Sequence, residues 1–138
     1  MAWDPSYEIG QPHIDAQHRL LMNLINELAE AMRTRITVER LSRLLHEIKK
    51  YAEFHFTSEE NYMHAISYPR RFQHEKVHSA MLSELSVRIM KARQEWRHVR
   101  EVHEFLVNWL IHHVAIEDKL IADHARRMEE LGLLASPR

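Results

Sequence analysis

The sequence predicts an all-α protein, an up-down-up-down four-helix bundle with an extended N-terminal arm. The chain has 138 residues, with only 2 glycines and 4 prolines to interrupt helices. Apolar residues recur at three- and four-residue spacing in four long segments, which is the period of an amphipathic helix. The connections between these segments are short, and short connections favour antiparallel neighbours.

One domain is predicted, made of an arm at residues 1–14, a bundle at 15–131 and a tail at 132–138. Asp15 is expected to cap the first helix, because its carboxylate can accept a hydrogen bond from a free N–H of the first turn. Gly132 is expected to end the last helix as its C′ residue.

Four helices are predicted within the bundle, each with one apolar stripe. Residues 67–69 carry a proline and separate the second helix from the third, and the highly charged stretch 93–100 is predicted to connect the third to the fourth. The predicted helices span residues 15–34, 38–64, 70–92 and 101–131.

Composition excludes several classes of function. Two glycines are too few for a Rossmann or Walker phosphate loop, and the absence of cysteine excludes disulfides, iron–sulfur clusters and thiolate metal sites. The net charge of −1 lacks the basic surplus of a nucleic-acid interface. No segment approaches the roughly 20 apolar residues of a membrane span, and the N-terminus does not resemble a secretory signal. We therefore expect a cytoplasmic protein with no nucleic-acid partner and no membrane span.

Histidine is unusually abundant, at 12 of 138 residues, and it is the commonest metal ligand. A single histidine on an apolar stripe is most often a hydrogen-bonded core residue. Five such histidines would each need a buried partner, and this chain offers few besides carboxylates. A shared metal site would satisfy all of them together. The five are His18, His55, His74, His78 and His113.

The spacing of these residues suits chelation. His55 and Glu59 are four residues apart and share one helix face, as do His74 and His78. Five imidazoles plus carboxylates exceed the three or four ligands that zinc takes, and they suit two ions bridged by carboxylates. A donor set without sulfur is compatible with iron, although spacing alone does not exclude manganese.

The fourth helix offers two carboxylates after its histidine ligand. Glu117 lies four residues after His113, whereas Asp118 lies five residues after it. Helical spacing alone therefore favours Glu117. His112 points about 100° away from His113, and the register with Trp109 favours His113 as the inward residue.

The other histidines are predicted to lie outside the metal site. His13 is in the arm. It is a candidate to hydrogen-bond to one of the metal-binding side chains without binding the metal itself. The rest fall off the apolar stripes or near helix ends, where polar residues are usually solvent-exposed. They are His46, His64, His98, His103 and His124.

Two short motifs suggest other metal proteins. The segment from His74 to His78 matches the H-E-x-x-H signature of zinc proteases, with Glu75 as general base. That pattern is short for a chain rich in histidine and glutamate, and no strands are predicted. Glu75 and Glu95 each begin an E-x-x-H unit of the ferritin-like di-iron proteins. However, Glu95 lies in the charged connection, and the first helix carries a histidine where that class needs a glutamate.

Sequence blocks along nearly the whole chain match one known family. The blocks are Ile14-Asp15-Ala16-Gln17-His18; His55-Phe56-Thr57-Ser58-Glu59-Glu60; Tyr68-Pro69 followed by His74-x3-His78; and Trp109-Leu110-x2-His113-x4-Asp118. With these blocks the chain resembles the hemerythrins, specifically the single-domain bacteriohemerythrins. The resemblance implies a hemerythrin-like four-helix bundle around a non-haem site of two Fe ions that binds O2 reversibly.

The resemblance also implies a division of the ligands. His74, His78 and His113 would hold one iron, which is coordinatively full. His18 and His55 would hold the other, which keeps one position open. An open position is what separates a reactive metal site from a structural one.

By the same resemblance, Glu59 and Asp118 bridge the two irons, together with a solvent-derived oxo or hydroxo group. We follow the family pattern and prefer Asp118 to Glu117 as the bridging ligand. At the position of Glu117, relatives usually carry a residue that is not acidic. The neighbours expected to line the O2 pocket are Phe56, Trp109, Leu110, Val114 and Met22. Met22 occupies a place where relatives often carry an aromatic residue.

The resemblance thus implies O2 carriage, storage or delivery to an oxygen-consuming enzyme, by a protein that is a monomer or weak oligomer and is not itself an enzyme. A di-iron oxidase, peroxidase or nitric-oxide-handling enzyme on the same scaffold is the alternative, because both functions use an open iron. A bundle stapled by structural metal is a third hypothesis, disfavoured by the unequal division of histidines. The lifetime of the oxygenated form would discriminate a carrier from an enzyme.

Overall fold

A computed structural model describes residues 2–134, which form a bundle of four antiparallel helical rods without a β-strand in that range. Each rod packs against two neighbours, so the predicted all-α four-helix bundle is confirmed. None of the helices within these residues is long and apolar enough to cross a membrane. The first three rods are α1 (Pro12–Thr34), α2 (Val38–Ala65) and α3 (Arg71–Gln94), and the fourth consists of α4 (Val99–His112), a π-helical turn (His113–Glu117) and α5 (Asp118–Glu130).

Helix α1 begins earlier than predicted, at Pro12 rather than Asp15. Proline suits the first helical position, because its φ is already helical and that position needs no N–H. The side chain of Gln11 caps the helix by accepting a backbone N–H of the first turn. Asp15 instead accepts the backbone N–H groups of Ile9 (2.7 Å) and Gly10 (3.2 Å). The arm is therefore shorter than predicted and is tied to the first turn of α1.

The second and third helices lie within two residues of their predicted bounds. Thr37 caps α2 by accepting the N–H of Arg40 at 3.3 Å, which fixes where that helix begins. The charged connection after α3 is shorter than predicted. It contains one 3-10 turn at Trp96–His98 and leads directly into α4, because its charged residues extend both flanking helices on their exposed faces.

The fourth rod departs most from the prediction of one regular helix over 101–131. At its centre the N–H of Asp118 bonds to the carbonyl of His113, five residues back, which defines the π-helical turn. Gly132 ends the rod as predicted, with φ +74° and the Leu133 N–H on the carbonyl of Met128 (2.8 Å). The last four residues of the predicted tail, 135–138, lie outside the described residues.

The core of the bundle has two chemically different ends. At the aliphatic end, all four rods contribute side chains that are almost completely buried. These are Leu28, Leu45, Ile48, Leu85, Ile89, Val102 and Leu106. Burial of each such side chain stabilises the fold by about 2 kcal/mol. At the opposite, polar end the same four inward stripes carry histidines and carboxylates.

Candidate metal centre

The polar end brings together all seven side chains that were predicted to bind metal. α1 contributes one, α2 and α3 contribute two each from adjacent turns, and the last two flank the π-helical turn. None of the seven is more than 5% exposed. They are His18, His55, Glu59, His74, His78, His113 and Asp118.

Glu59 lies at the centre of the cluster and turns its two oxygens in different directions. Its Oε1 atom lies 2.7 Å from Nε2 of His74 and 3.1 Å from Nε2 of His78. Its Oε2 atom lies 3.7 Å from Nε2 of His18 and 3.6 Å from Nε2 of His55. One carboxylate thus contacts histidines on both sides.

Asp118 is oriented in the same way. Its Oδ1 atom lies 3.1 Å from Nε2 of both His74 and His113, and its Oδ2 atom lies 3.2 Å from Nε2 of His18. The two carboxylates therefore separate the histidines into two sets. The three-histidine group is His74, His78 and His113, and the two-histidine group is His18 and His55.

The π-helical turn explains why Asp118, and not Glu117, faces the cluster. In a regular α-helix, five residues would rotate Asp118 about 140° away from His113. The i to i−5 hydrogen bond adds one residue to the turn, so Asp118 follows His113 after a single turn. Glu117 is half-buried beside the cluster and is not part of it. The spacing argument for Glu117 fails because it assumes an unbroken α-helix.

The cluster fits metal ions better than it fits hydrogen bonds alone. Among residues 2–134, several of its buried atoms make no hydrogen bond of good geometry, although most of them make close charged contacts, and a buried polar atom left without any partner costs about 1–3 kcal/mol. They are both ring nitrogens of His18, Oε2 of Glu59, Nε2 of His78 and of His113, and both carboxylate oxygens of Asp118. Each histidine group, with the carboxylates beside it, offers four donor atoms within 4.8 Å of one another. Imidazole nitrogens with carboxylate oxygens are suitable ligands for iron, and the cluster can hold a metal.

Three of the imidazoles hold their protons strongly when no metal is bound. Burial alone would lower the pKa of His18, but Asp118 and Glu59 outweigh that effect and raise the pKa to about 9. By the same balance, the pKa of His113 rises to about 9 and that of His74 to about 10. At neutral pH these rings are cationic, so incoming metal ions would replace their protons.

Three other groups of the cluster have pKa values that are lowered instead. Burial lowers the pKa of His55 to about 4, because the raising effect of Glu59 is too small to compensate. Burial would raise the pKa of Glu59, but the surrounding histidines hold it well below its usual value. The pKa of Asp118 is also lowered, because His113 and His18 outweigh burial and the charge of Glu59. The metal-free site therefore contains two carboxylates facing cationic imidazoles.

Two hydrogen bonds support the site from outside, and sequence reasoning did not find either partner. The Nδ1–H of His55 donates to Oε1 of Gln17 at 2.8 Å, and Gln17 in turn contacts Nε2 of His13 at 2.9 Å. The Nδ1–H of His78 donates to Oε2 of Glu60 at 2.8 Å. Gln17 and Glu60 each adjoin a cluster residue and stand in the sequence blocks that match the family, and these were the signals that could have indicated them. His13, the expected outer partner, reaches the site only through Gln17.

The two aromatic residues predicted to line an O2 pocket pack against the three-histidine group. The ring of Phe56 stacks on His78 with centroids 4.0 Å apart, and Trp109 stacks on His113 at 4.4 Å. Phe56 and Trp109 also meet edge to face at 5.1 Å. These contacts fix the orientation of two cluster imidazoles.

The aliphatic candidates for the pocket are buried in the same core. Leu110 and Val114 come from the fourth rod and flank His113 in sequence, and Met22 lies one turn after His18. All three belong to the apolar cluster that contains Phe56. Their role as a pocket lining stays a prediction.

Two of the five histidines predicted to be exposed, His46 and His64, are exposed, and so is His112. The outward position of His112 agrees with the choice of His113 as the inward residue. His64 contacts Glu75 at 2.9 Å. Glu75 therefore pairs with an exposed histidine, away from the cluster, rather than standing beside it as the general base of a zinc protease.

Three other histidines are half-buried, so the prediction that they are exposed was wrong. They are His98, His103 and His124. His124 donates from Nε2 to the carbonyl of Ile66 at 3.1 Å and lies against the ring of Tyr68. The connection after α2 folds over this histidine, and a helical stripe drawn on one segment cannot reveal such a contact.

Comparison with known proteins agrees with this arrangement. A family model described as the Hemerythrin HHE cation binding domain matches residues 10–125. A bacteriohemerythrin of Clostridium acetobutylicum is 28% identical over 127 residues, which cover 88% of this chain and 98% of that protein. A bacteriohemerythrin of Stenotrophomonas maltophilia is 25% identical, covering 91% and 82% of the two chains. A myohemerythrin of Theromyzon tessulatum is 30% identical, covering 77% and 81%.

Proposed function

The chain belongs to the hemerythrin family, and from that premise we propose that it binds O2 reversibly at two iron ions. In this proposal the protein carries or stores O2, or delivers it to an oxygen-consuming enzyme, and is not itself a catalyst. The observation that carries the proposal is the unequal division of histidines on either side of two shared carboxylates. Unequal numbers of histidine ligands beside shared carboxylates favour one saturated position and one open position, which a purely structural metal site does not need.

Each part of the cluster has a role in this proposal. The three-histidine group holds one iron and the two-histidine group holds the other. Glu59 and Asp118 each contribute one oxygen to either side, as their orientations favour. The irons, when bound, supply the electrons on which O2 binding draws and recover them on release. Phe56 and Trp109 hold their stacked imidazoles in place.

The surrounding aliphatic side chains exclude water from the site. Leu110, Val114 and Met22 are buried and carry no group that donates a proton. Access of water and protons to the open position would promote loss of the ferrous state. We therefore assign these three residues to the pocket wall, as a barrier rather than as ligands.

Metal content and reversibility test the proposal directly. Protein purified from iron-replete cells is expected to contain two irons per chain. After anaerobic reduction, exposure to O2 should change the near-ultraviolet and visible absorbance, and removal of O2 should restore the original spectrum over repeated cycles. About one metal per chain, with zinc dominant, would contradict the two-iron site. Consumption of O2 without recovery of the spectrum would favour the di-iron enzyme instead.

The pocket wall has its own test in Leu110→Ala. This change should leave iron content near the wild-type value but accelerate oxidation to the ferric state in air, because the barrier to water is reduced. Leu106→Ala is the matched control, since it removes an equally buried leucine one turn farther from the site. Equal oxidation rates in the two variants would remove Leu110 from the pocket.

A further inference from the structure

The two histidine groups differ in what supports them from outside. In the three-histidine group, the Nδ1–H of His78 donates to a carboxylate oxygen of Glu60. In the two-histidine group, the Nδ1–H of His55 donates to the amide oxygen of Gln17. Both donor–acceptor distances are 2.8 Å. The two hydrogen bonds therefore have the same length and differ in the charge of the acceptor.

The amide of Gln17 is held in one orientation. A metal on Nε2 of His55 leaves its Nδ1 as the donor, so the oxygen of Gln17 must face that ring. The amide nitrogen then donates to Nε2 of His13 at 2.9 Å. Gln17 is only 4% exposed, and with both ends of its amide engaged it stays a neutral acceptor.

The other histidine of the two-histidine group has no comparable support. Nδ1 of His18 is buried and has no hydrogen-bond partner within the part of the chain that the structure describes. This group therefore contains one ring supported by an amide and one ring supported by neither an amide nor a carboxylate. By contrast, the carboxylate of Glu60 directly supports a ring of the three-histidine group.

The charge of the outer acceptor affects how strongly an imidazole binds metal. A carboxylate that accepts the Nδ1–H makes the Nε2 of the same ring a better donor, and such hydrogen bonds are about twice as strong as neutral ones. A neutral amide orients the ring without the same gain in basicity. The three-histidine group should therefore be the stronger metal site, beyond its advantage of one extra imidazole.

We propose that Glu60 and Gln17 are positioning residues that make the two metal positions unequal, so that the three-histidine group fills first and the two-histidine group second. This inference rests on the two-metal arrangement of the proposed function. It identifies the position with the open site as the weaker one. A chain carrying a single metal ion then has a filled three-histidine group and no O2-binding position, so the second ion switches the function on.

The filling order can be measured with zinc, which is redox-inert and leaves NMR spectra sharp. Metal-free protein labelled with 15N is titrated with Zn2+ at constant pH, and the ring nitrogens of the five histidines are followed. Signals from the three-histidine group should shift with the first equivalent of zinc. Those of His18 and His55 should shift only with the second.

Exchange of the acceptor charges tests the cause of that order. Glu60→Gln keeps an acceptor of the same size without its charge, and should weaken the first binding step about tenfold. Gln17→Glu adds a charge behind His55 and should strengthen the second step by a similar factor. The double variant should narrow or reverse the order. Glu75→Gln is the matched control, because Glu75 pairs with the exposed His64 and should change neither step.

Several results would overturn the inference. Simultaneous filling, or filling of the two-histidine group first, contradicts it even if every variant fails to fold. Unchanged affinities in Glu60→Gln, with unchanged circular dichroism, would show that the charge of the outer acceptor does not matter. The O2 proposal is tested separately, since iron-loaded wild type that fails to bind O2 reversibly rejects it while the zinc filling order stands.

Discussion

The aliphatic end and the polar end of the bundle are built from the same four rods and are equally well buried, yet they differ in what stabilises them. At the aliphatic end, residues such as Leu45 and Leu85 are fully buried and stabilise the fold without a ligand. At the polar end, residues such as His18 and Asp118 are as deeply buried, but within residues 2–134 their polar atoms make close charged contacts without well-formed hydrogen bonds. Burial of charged groups is unfavourable by several kcal/mol unless they are well paired.

This difference shows how the bundle can contain a layer of buried polar and charged side chains. The aliphatic end supplies enough apolar burial to hold four helices together, so the polar end is free to collect seven polar side chains. Metal ions then convert an unfavourable layer into a favourable one. The two ends should therefore respond differently to metal, core mutation and pH.

Metal removal should have the largest effect and should separate the two ends. A metal present at about 1,000 times its Kd adds about 4 kcal/mol of stability, and two sites add more. Chelated protein should unfold at a much lower temperature, and amide exchange should accelerate around His18, His55 and His113. The aliphatic end should keep more of its protection. Protein reloaded with iron is the control. Uniform loss of amide protection along all four rods would contradict the difference between the aliphatic and the polar end.

A cavity at the aliphatic end should destabilise the protein without affecting metal. Leu45→Ala should lower the free energy of unfolding by about 2–5 kcal/mol in both the metal-free and the loaded protein. Iron content should remain two per chain, because no ligand moves. Leu20→Ala, at an exposed position on α1, serves as the control with an effect of about 0.5 kcal/mol or less. Loss of iron in Leu45→Ala would mean that the ends are coupled.

A paired substitution at the π-helical turn should distinguish the carboxylate that binds metal from its neighbour. Asp118→Ala removes a carboxylate that contacts both histidine groups, and should weaken metal binding by about 100-fold or more, because loss of an outer partner alone costs about 10–100-fold. Glu117→Ala alters the neighbouring carboxylate and should change affinity little. Competition with a chelator measures both variants. The opposite ranking would mean that the turn has a different register in solution.

The pH dependence of stability should appear mainly in the metal-free protein. His18, His74 and His113 have folded pKa values raised to about 9 to 10, against an ordinary value of 6.5. Above pH 6.5 the folded protein therefore holds protons that the unfolded chain has lost. Stability should fall as the pH rises from 7 towards these raised pKa values, because over that range the folded protein binds more protons than the unfolded chain.

Two further comparisons sharpen that result. His55 has a lowered pKa, so its contribution is lost in the other direction, as the pH falls below 6.5. Iron-loaded protein should show a much flatter profile above pH 7, because metal replaces the protons. Denaturant unfolding at a series of pH values measures both states, and parallel profiles would contradict the proposed exchange of protons for metal.

The sequence predicted the four helical rods and their inward-facing residues better than it predicted where helices begin and where their hydrogen bonding changes. Apolar spacing indicated all four rods, and the inward histidines stood out because a helix at fixed 3.6 residues per turn places them on the core stripe. The family resemblance added Asp118, which spacing alone did not favour. The early start of α1 was missed because Gln11, an unusual capping residue, replaces Asp15 in that role.

Other features depend on contacts that no local pattern contains. Gln17 and Glu60 support the site from outside, and their partners are 38 and 18 residues away in the sequence. His124 is covered by a connection whose path depends on the packing of the whole bundle. The π-helical turn exists because both His113 and Asp118 face the core, and regular helical spacing does not allow that.

The π-helical turn also has a consequence for insertions and deletions in this family of chains. An H-x4-D segment in a π turn and an H-x3-D segment in a regular α-helix present the same two side chains to one face. The extra residue is absorbed at the surface, where Ile116 is half exposed. A chain that lacks one residue here could keep both ligands and the buried stripe of α5 beyond them. A chain one residue shorter would then present the same two side chains at this site, with its deletion inside residues 114–117.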